Sequence, residues 1–260
     1  MIFFRLIIKV SQIETITLSI ALIWFSLLTN QTIAQNSNDK ETRIVIESQG
    51  WKLVGDLKIP VTNKPPPVVL MLNKAAGTRA DYVELANQLA ARGIASLRLD
   101  LRGHGESINL GKFIPAEADS LTREFLIWQS DSDVISAINY LKSNPQIDGS
   151  KIGIIGASYS GEEMAEAGRK TGYAQAYVAL SPGSFSDESI KGIDSSHVPW
   201  LYVASKKERF LQEITALVQS QSETVEMIIL PGKEHATRIL NSHNGIAERI
   251  AVWLTHILLK

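Results

Sequence analysis

The chain has 260 residues, 45% of them hydrophobic, with Lys+Arg 26 against Asp+Glu 27 and a formal net charge of -1. That length supports one sizeable core but not two full domains, and the balanced charge leaves no electrostatic footprint for nucleic acid or anionic lipid. Cysteine is absent, which excludes disulfides, thiolate metal sites, iron-sulfur clusters and thiol nucleophiles, so any nucleophile is an oxygen or an amine.

The first 34 residues read as a targeting segment. Arg5 and Lys9 form a basic start, residues 15–28 run TITLSIALIWFSLL, and Thr32-Ile33-Ala34 places small residues where a signal peptidase reads. We expect cleavage after Ala34 and export to the periplasm or medium, with retention of residues 13–34 as a membrane anchor the alternative. Residues 35–41 read as a polar linker and 42–260 as one domain.

Two strand-like runs, 43–47 and 51–59, flank Gln49-Gly50 and predict a hairpin. Lys64-Pro65-Pro66-Pro67 then interrupts, because consecutive prolines impose extended backbone and donate no ladder hydrogen bonds. Beyond it, apolar runs at 68–72, 94–99, 152–155, 176–180, 200–204 and 225–230 alternate with helical spacing at 80–92, 130–141, 162–170, 210–218 and 246–258. Continuous apolar strands alternating with helices predict an α/β fold with a mostly parallel sheet of about eight strands and right-handed crossovers. Residues 108–129 lack clear periodicity and are expected above the carboxyl ends of the strands, bordering the ligand. The link from Leu180 to Val198 accommodates a loop or a short helix and no large cap.

The segment KIGIIGASYSG, Lys151 to Gly161, reads as strand, sharp turn, helix. A serine at such a turn, here Ser158, has its hydroxyl held in the open, and the N–H of the next residue, Tyr159, is aimed at a developing oxyanion. The turn needs small residues at 156 and 160, and Ser160 stands where G-x-S-x-G has its second glycine. A helix N-cap is the alternative reading of the same serine.

From about residue 50 to 258 the sequence resembles the α/β-hydrolases, in particular the dienelactone-hydrolase-like and small serine esterase branch. The stretch LRLDLRGHGES after the fourth strand and the turn around Ser158 carry the resemblance most specifically. It implies an α/β-hydrolase fold, with a histidine in the loop after the last strand and an acid after the penultimate one. His235, in Leu230-Pro231-Gly232-Lys233-Glu234-His235, fits the base, and Glu208 stands where the family more often has aspartate, with Asp194 in reserve. The order Ser158, Glu208, His235 follows the chain order of this fold's triad. Where the family has a His-Gly-x turn after the third strand, the chain has Asn73-Lys74-Ala75, making Ala75 the second oxyanion donor.

The implied activity is ester hydrolysis through an acyl-enzyme on small-molecule substrates. A peptidase or amidase of the same fold, and a binding protein that has lost the reaction, are the alternatives. No cofactor, metal or nucleic-acid partner is expected, and a membrane only through a retained N-terminal segment. His197, His243 and His256 lack partners at metal-ligand spacing. His104 reads as part of a glycine-shaped turn, Asp131 and Asp133 as acids favoured by a helix dipole, and Gly153 with Gly156 lacks the spacing of a nucleotide loop.

Overall fold

A computed structural model describes residues 39–220 and 225–260. The expected signal peptide, its alternative as an anchor, and the linker up to residue 38 lie outside the described residues. Strand β1 (Lys40–Ser48) pairs antiparallel with β2 (Trp51–Ile59). It begins earlier than the sequence predicts and takes in Lys40 and Glu41, at the end of the expected linker. The two-residue turn between them has φ +49° at Gln49 and +84° at Gly50, the positive pair that lets a tight turn follow the strands' twist.

The remaining strands are β3 (Val68–Leu72), β4 (Ala95–Leu99), β5 (Ile152–Ala157), β6 (Ala176–Leu180), β7 (Trp200–Ser205) and β8 (Val225–Leu230). They complete one eight-stranded sheet in the order β1-β2-β4-β3-β5-β6-β7-β8. All pairs from β4 to β8 are parallel, and β2 is antiparallel to both its neighbours. The chain runs outward one way from β3 to β4 and the other way from β5 to β8. Their carboxyl ends meet at a switch point, where open α/β sheets bind ligands.

Alternation along each strand feeds two cores. Val68, Leu70 and Leu72 face one layer, while Val69 and Met71 face the other. The first layer includes buried residues of α3 (Asp131–Ser143), α4 (Ser160–Thr171) and α5 (Asp187–Ser196), together with Ile214 of α6 (Leu211–Ser220). The second lies under α1 (Val83–Ala90), α7 (Arg238–Ser242) and α8 (Ile246–Leu258). On α8 the buried Ile246, Ile250, Leu254 and Leu258 recur every four residues, each burial contributing about 1.5–3 kcal/mol. Residues 79–82 form a 3-10 turn leading into α1, a tightening of the helix expected over 80–92.

The aperiodic stretch contains α2 (Ser120–Arg123), which continues as a π-helical turn over Glu124–Trp128. The link after β6 holds α5, and among the described residues no large cap covers the sheet. Among the described residues, no helix is long and apolar enough to cross a membrane.

Candidate active site

Every residue of β5 is buried, and the chain leaves it through a sharp bend at Ser158, where φ is +57°. A side chain in that left-handed region costs on the order of 1–3 kcal/mol and persists only where its surroundings impose it. The restraints are visible. The Ser158 N–H donates to Leu180 O at 3.0 Å, and a Cβ on Gly156 would lie 2.5 Å from Ser160 O and 2.8 Å from Met164 Sδ. Ser160 is fully buried; its Oγ accepts the Ala157 N–H at 2.7 Å and lies 3.0 Å from Ala157 O. The hydroxyl that departs from the usual glycine thus bonds to the bend instead of obstructing it.

His235 reaches Ser158 from the loop after β8. Its Nε2 is 3.0 Å from Ser158 Oγ and its Nδ1 is 2.7 Å from Glu208 Oε1. A carboxylate can only accept, so Nδ1 carries the proton and Nε2 is free to take one from the serine. Glu208 lies three residues before α6, and Ser205 N–H donates to its Oε2 at 2.9 Å. That bond folds the longer side chain back over the end of β7. Ser205 Oγ also donates to Glu234 O at 2.6 Å, tying the acid's strand to the histidine's loop, and Lys207 N–H donates to Gly232 O at 2.9 Å. Asp194, the reserve acid, is exposed on α5 while Glu208 occupies the Nδ1 side of the imidazole.

Among the described residues, neither the Tyr159 nor the Ala75 N–H is spent on a backbone acceptor. Asn73 is fully buried at the end of β3, accepting the Leu101 N–H at 2.8 Å and donating to Lys74 O at 2.9 Å. It thereby holds the Ala75 turn against the end of β4. Lys74 O accepts the Gly77 N–H at 2.9 Å, and Ala76 takes φ +53°.

The turn of the LRLDLRGHGES stretch is built on Asp100, which accepts the Arg79 and Glu106 N–H groups at 2.7 and 3.0 Å. A Cβ on Gly105, at φ +50°, would sit 2.0 Å from its carboxylate. His104 is buried, with Nδ1 donating to Arg102 O at 2.8 Å and its ring stacked between Phe113 and Tyr159. Burial lowers its pKa and keeps it neutral. Asp131 and Asp133 do begin α3, but both also hold cations. Asp133 takes the buried Arg102 at 3.0 and 2.7 Å, and Asp131 takes Lys170 at 2.7 Å.

A cleft of about 750 Å³ opens beside Ser158 and Tyr159. Of the aperiodic stretch, only its end, Trp128, lines it. Phe113, Ile114 and Pro115 line a second cleft of about 460 Å³ with His104 and Gly77. Glu163 of α4, which sequence reading missed, lines the first cleft and is 3% exposed. The available signal was its place on the buried stripe of α4, three residues from Ser160 and four from Ala167. Its carboxyl is pushed up to about 8, first by burial and then by the charges of Asp131 and Glu162.

The folded chain holds a proton on Glu163 that the unfolded chain releases near 4.5, so stability falls as pH rises from about 4.5 to about 8 and levels off above. Glu163→Gln removes that slope. Its melting temperature should exceed the wild type's at pH 8, with the gap closing toward pH 5, and parallel curves from pH 5 to 9 would refute the assignment.

Among the described residues, no group of three His, Asp or Glu side chains is placed to hold a metal ion. The model of the X-Pro dipeptidyl-peptidase (S15) family matches residues 49–190. No curated protein matches the chain in sequence. Among solved structures, a dienelactone hydrolase from Anabaena variabilis superposes with a TM-score of 0.65 at 21% identity, covering 85% of this chain and 97% of that one. An esterase from Pyrococcus furiosus gives 0.63 at 18% identity, covering 85% and 94%. Est1E from Butyrivibrio proteoclasticus, solved with ferulic acid bound, gives 0.64 at 17% identity, covering 83% and 98%.

Proposed function

We propose that this chain, which belongs to the X-Pro dipeptidyl-peptidase (S15) family of α/β-hydrolases, is a serine hydrolase that cleaves carboxylic esters with Ser158, His235 and Glu208. The observation that carries the reading is the unbroken line Ser158 Oγ, His235 Nε2, His235 Nδ1, Glu208 Oε1, with steps of 3.0 and 2.7 Å. A serine hydroxyl is a weak nucleophile until a base accepts its proton, and a base so aligned supplies the acceptor.

Ser158 Oγ attacks the carbonyl carbon while its proton passes to His235 Nε2. The imidazolium formed is stabilised by Glu208, which also fixes the tautomer. The carbonyl electrons move onto oxygen, where the N–H groups of Tyr159 and Ala75 receive the charge. Collapse of that intermediate expels the alcohol, which takes the proton from His235. Water then attacks the acyl-enzyme with the same base, releasing the acid and restoring Ser158.

Purified residues 35–260 should hydrolyse p-nitrophenyl esters from acetyl to dodecanoyl, with a length profile set by the cleft, and Ser158→Ala should abolish the activity. The family match favours a second reading, amide cleavage. Turnover of X-Pro p-nitroanilides without ester turnover would establish it. If both fail and a fluorophosphonate leaves Ser158 unlabelled, the chain is a binding protein on a hydrolase fold. Export after cleavage at Ala34 is part of the same proposal, tested by whether the exported protein begins by mass at Gln35 or Met1.

A further inference from the structure

Three of the left-handed residues that are not glycine border the groups on which the hydrolase reading rests. They are Ser158 at φ +57°, Ala76 at +53° beside the Ala75 N–H, and Ala236 at +56° beside His235. Such backbone persists only where its surroundings impose it. Ala236 is fully buried. On its amino side the end of β7 holds the loop, through Ser205 Oγ to Glu234 O at 2.6 Å and the Lys207 N–H to Gly232 O at 2.9 Å. On its carboxyl side the restraint is Thr237.

Thr237 is 1% exposed and occupies the N-cap of α7, yet its hydroxyl makes no bond to that helix. A threonine at an N-cap ordinarily satisfies the helix's own free N–H groups. Here Oγ1 donates instead to Asp81 Oδ2 at 2.6 Å, 156 positions away. Asp81 sits in the 3-10 turn that follows the Ala75 turn. Its neighbour Tyr82, fully buried, donates to Leu72 O at 2.8 Å and so fixes that turn to the end of β3. Among the described residues, Thr237 to Asp81 is the one hydrogen bond joining residues 73–82 to residues 231–237. Tyr82, Ala236 and Ile239 share the second core layer, so apolar packing keeps the two segments adjacent. The charge-assisted bond sets their register.

We propose that Asp81 and Thr237 are positioning residues, whose bond holds the His235 loop at a fixed distance from the Ala75 N–H so that base and oxyanion donor meet one carbonyl together. The inference rests on the hydrolase reading above, and neither side chain touches the substrate. Base and donor act on the same tetrahedral centre, where a misplacement of about 1 Å can cost on the order of 10²-fold in rate. An alignment needed in the transition state alone is lost from kcat and not from KM.

Thr237→Val keeps the shape and removes the hydroxyl. On the p-nitrophenyl ester or X-Pro p-nitroanilide that the unmodified enzyme turns over fastest, and well below each variant's melting temperature, its kcat should fall about 10- to 100-fold with KM little changed. Thr237→Ser, which restores the donor without the methyl, should recover most of that loss. Asp81→Ala should lose as much as Thr237→Val, and the double variant no more than either, because the two side chains act through one bond. A packing role gives the opposite pattern, since Thr237→Ser would then suffer and the two losses would multiply.

Unchanged kcat in Thr237→Val, a loss that Thr237→Ser shares, or losses that multiply in the double variant overturns the proposal and leaves the hydrolase reading intact. Asp81 is half-buried, so Asp81→Ala carries the test by itself if Thr237→Val does not fold, and unchanged kcat there overturns the proposal equally. If the unmodified protein turns over neither substrate and no fluorophosphonate labels Ser158, the hydrolase reading fails and the positioning role falls with it.

Discussion

His235→Ala should lower kcat for any ester the enzyme accepts by about 10⁴- to 10⁶-fold, with KM little changed, because serine and base act as one unit. Without the imidazole, Ser158 must lose its proton to water, and the alcohol leaves without a positioned acid. Ser158→Ala should cost as much, and the double variant little more. The fold should survive, since the His235 side chain is 42% exposed in its loop. Glu208→Gln should be about two orders of magnitude less damaging than His235→Ala. Asp194→Ala, at an exposed position of α5, should leave turnover unchanged. Steady-state kinetics on one p-nitrophenyl ester checks the series; full activity in His235→Ala removes the base, and a larger loss in Asp194→Ala than in Glu208→Gln removes the acid.

The largest effect on stability is expected at Asp133. Its carboxylate holds Arg102 through the Nε at 3.0 Å, a terminal nitrogen at 2.7 Å and the backbone N–H at 2.9 Å, with side chains 0% and 1% exposed. The same guanidinium bonds to Gln49 in the first hairpin and to Ser132 on α3, at 3.1 and 2.5 Å. Asp133→Ala leaves that cation buried and uncompensated, which costs about 3–5 kcal/mol, or roughly 10 °C in melting temperature for a domain this size. Glu248→Ala, which removes the exposed partner of Arg92, should cost under about 1 kcal/mol. Comparable losses in the two variants would contradict the role given to burial.

The strands could be read from the sequence because a sheet covered on both faces needs uninterrupted apolar runs, and 68–72 and 152–155 are such runs. The positions of His235 and Glu208 were legible for a different reason: the resemblance placed them after the last two strands. What stayed hidden depended on partners distant in the chain. Asp133 looks like any first-turn acid until Arg102, 31 positions away, closes on it. Asn73 reads as a departure from a glycine-rich turn, and only the Leu101 N–H shows why an amide belongs there. The helix α5, with exposed serines and acids on much of its surface, offered too weak an apolar stripe to separate it from a loop. At Glu163, the position on a buried helical stripe was readable, but the unpartnered Oε2 could be seen only with every neighbour in place.

The serine comes from β5, in the interior of the sheet, whereas Glu208 and His235 follow β7 and β8, at its far edge. Ser158 and His235 are separated by 77 positions, and β8 is only partly buried along its length. Under the proposed triad, catalytic competence is thus the last property the nascent chain acquires and the first it surrenders. Synthesis must pass residue 235, and α8 must settle on the outer layer, before the Ser158 hydroxyl meets its imidazole partner. Conversely, edge strands open at lower free energy than central ones, so fraying of β7 and β8 parts Glu208 and His235 from Ser158 while the half of the sheet that carries the serine remains folded.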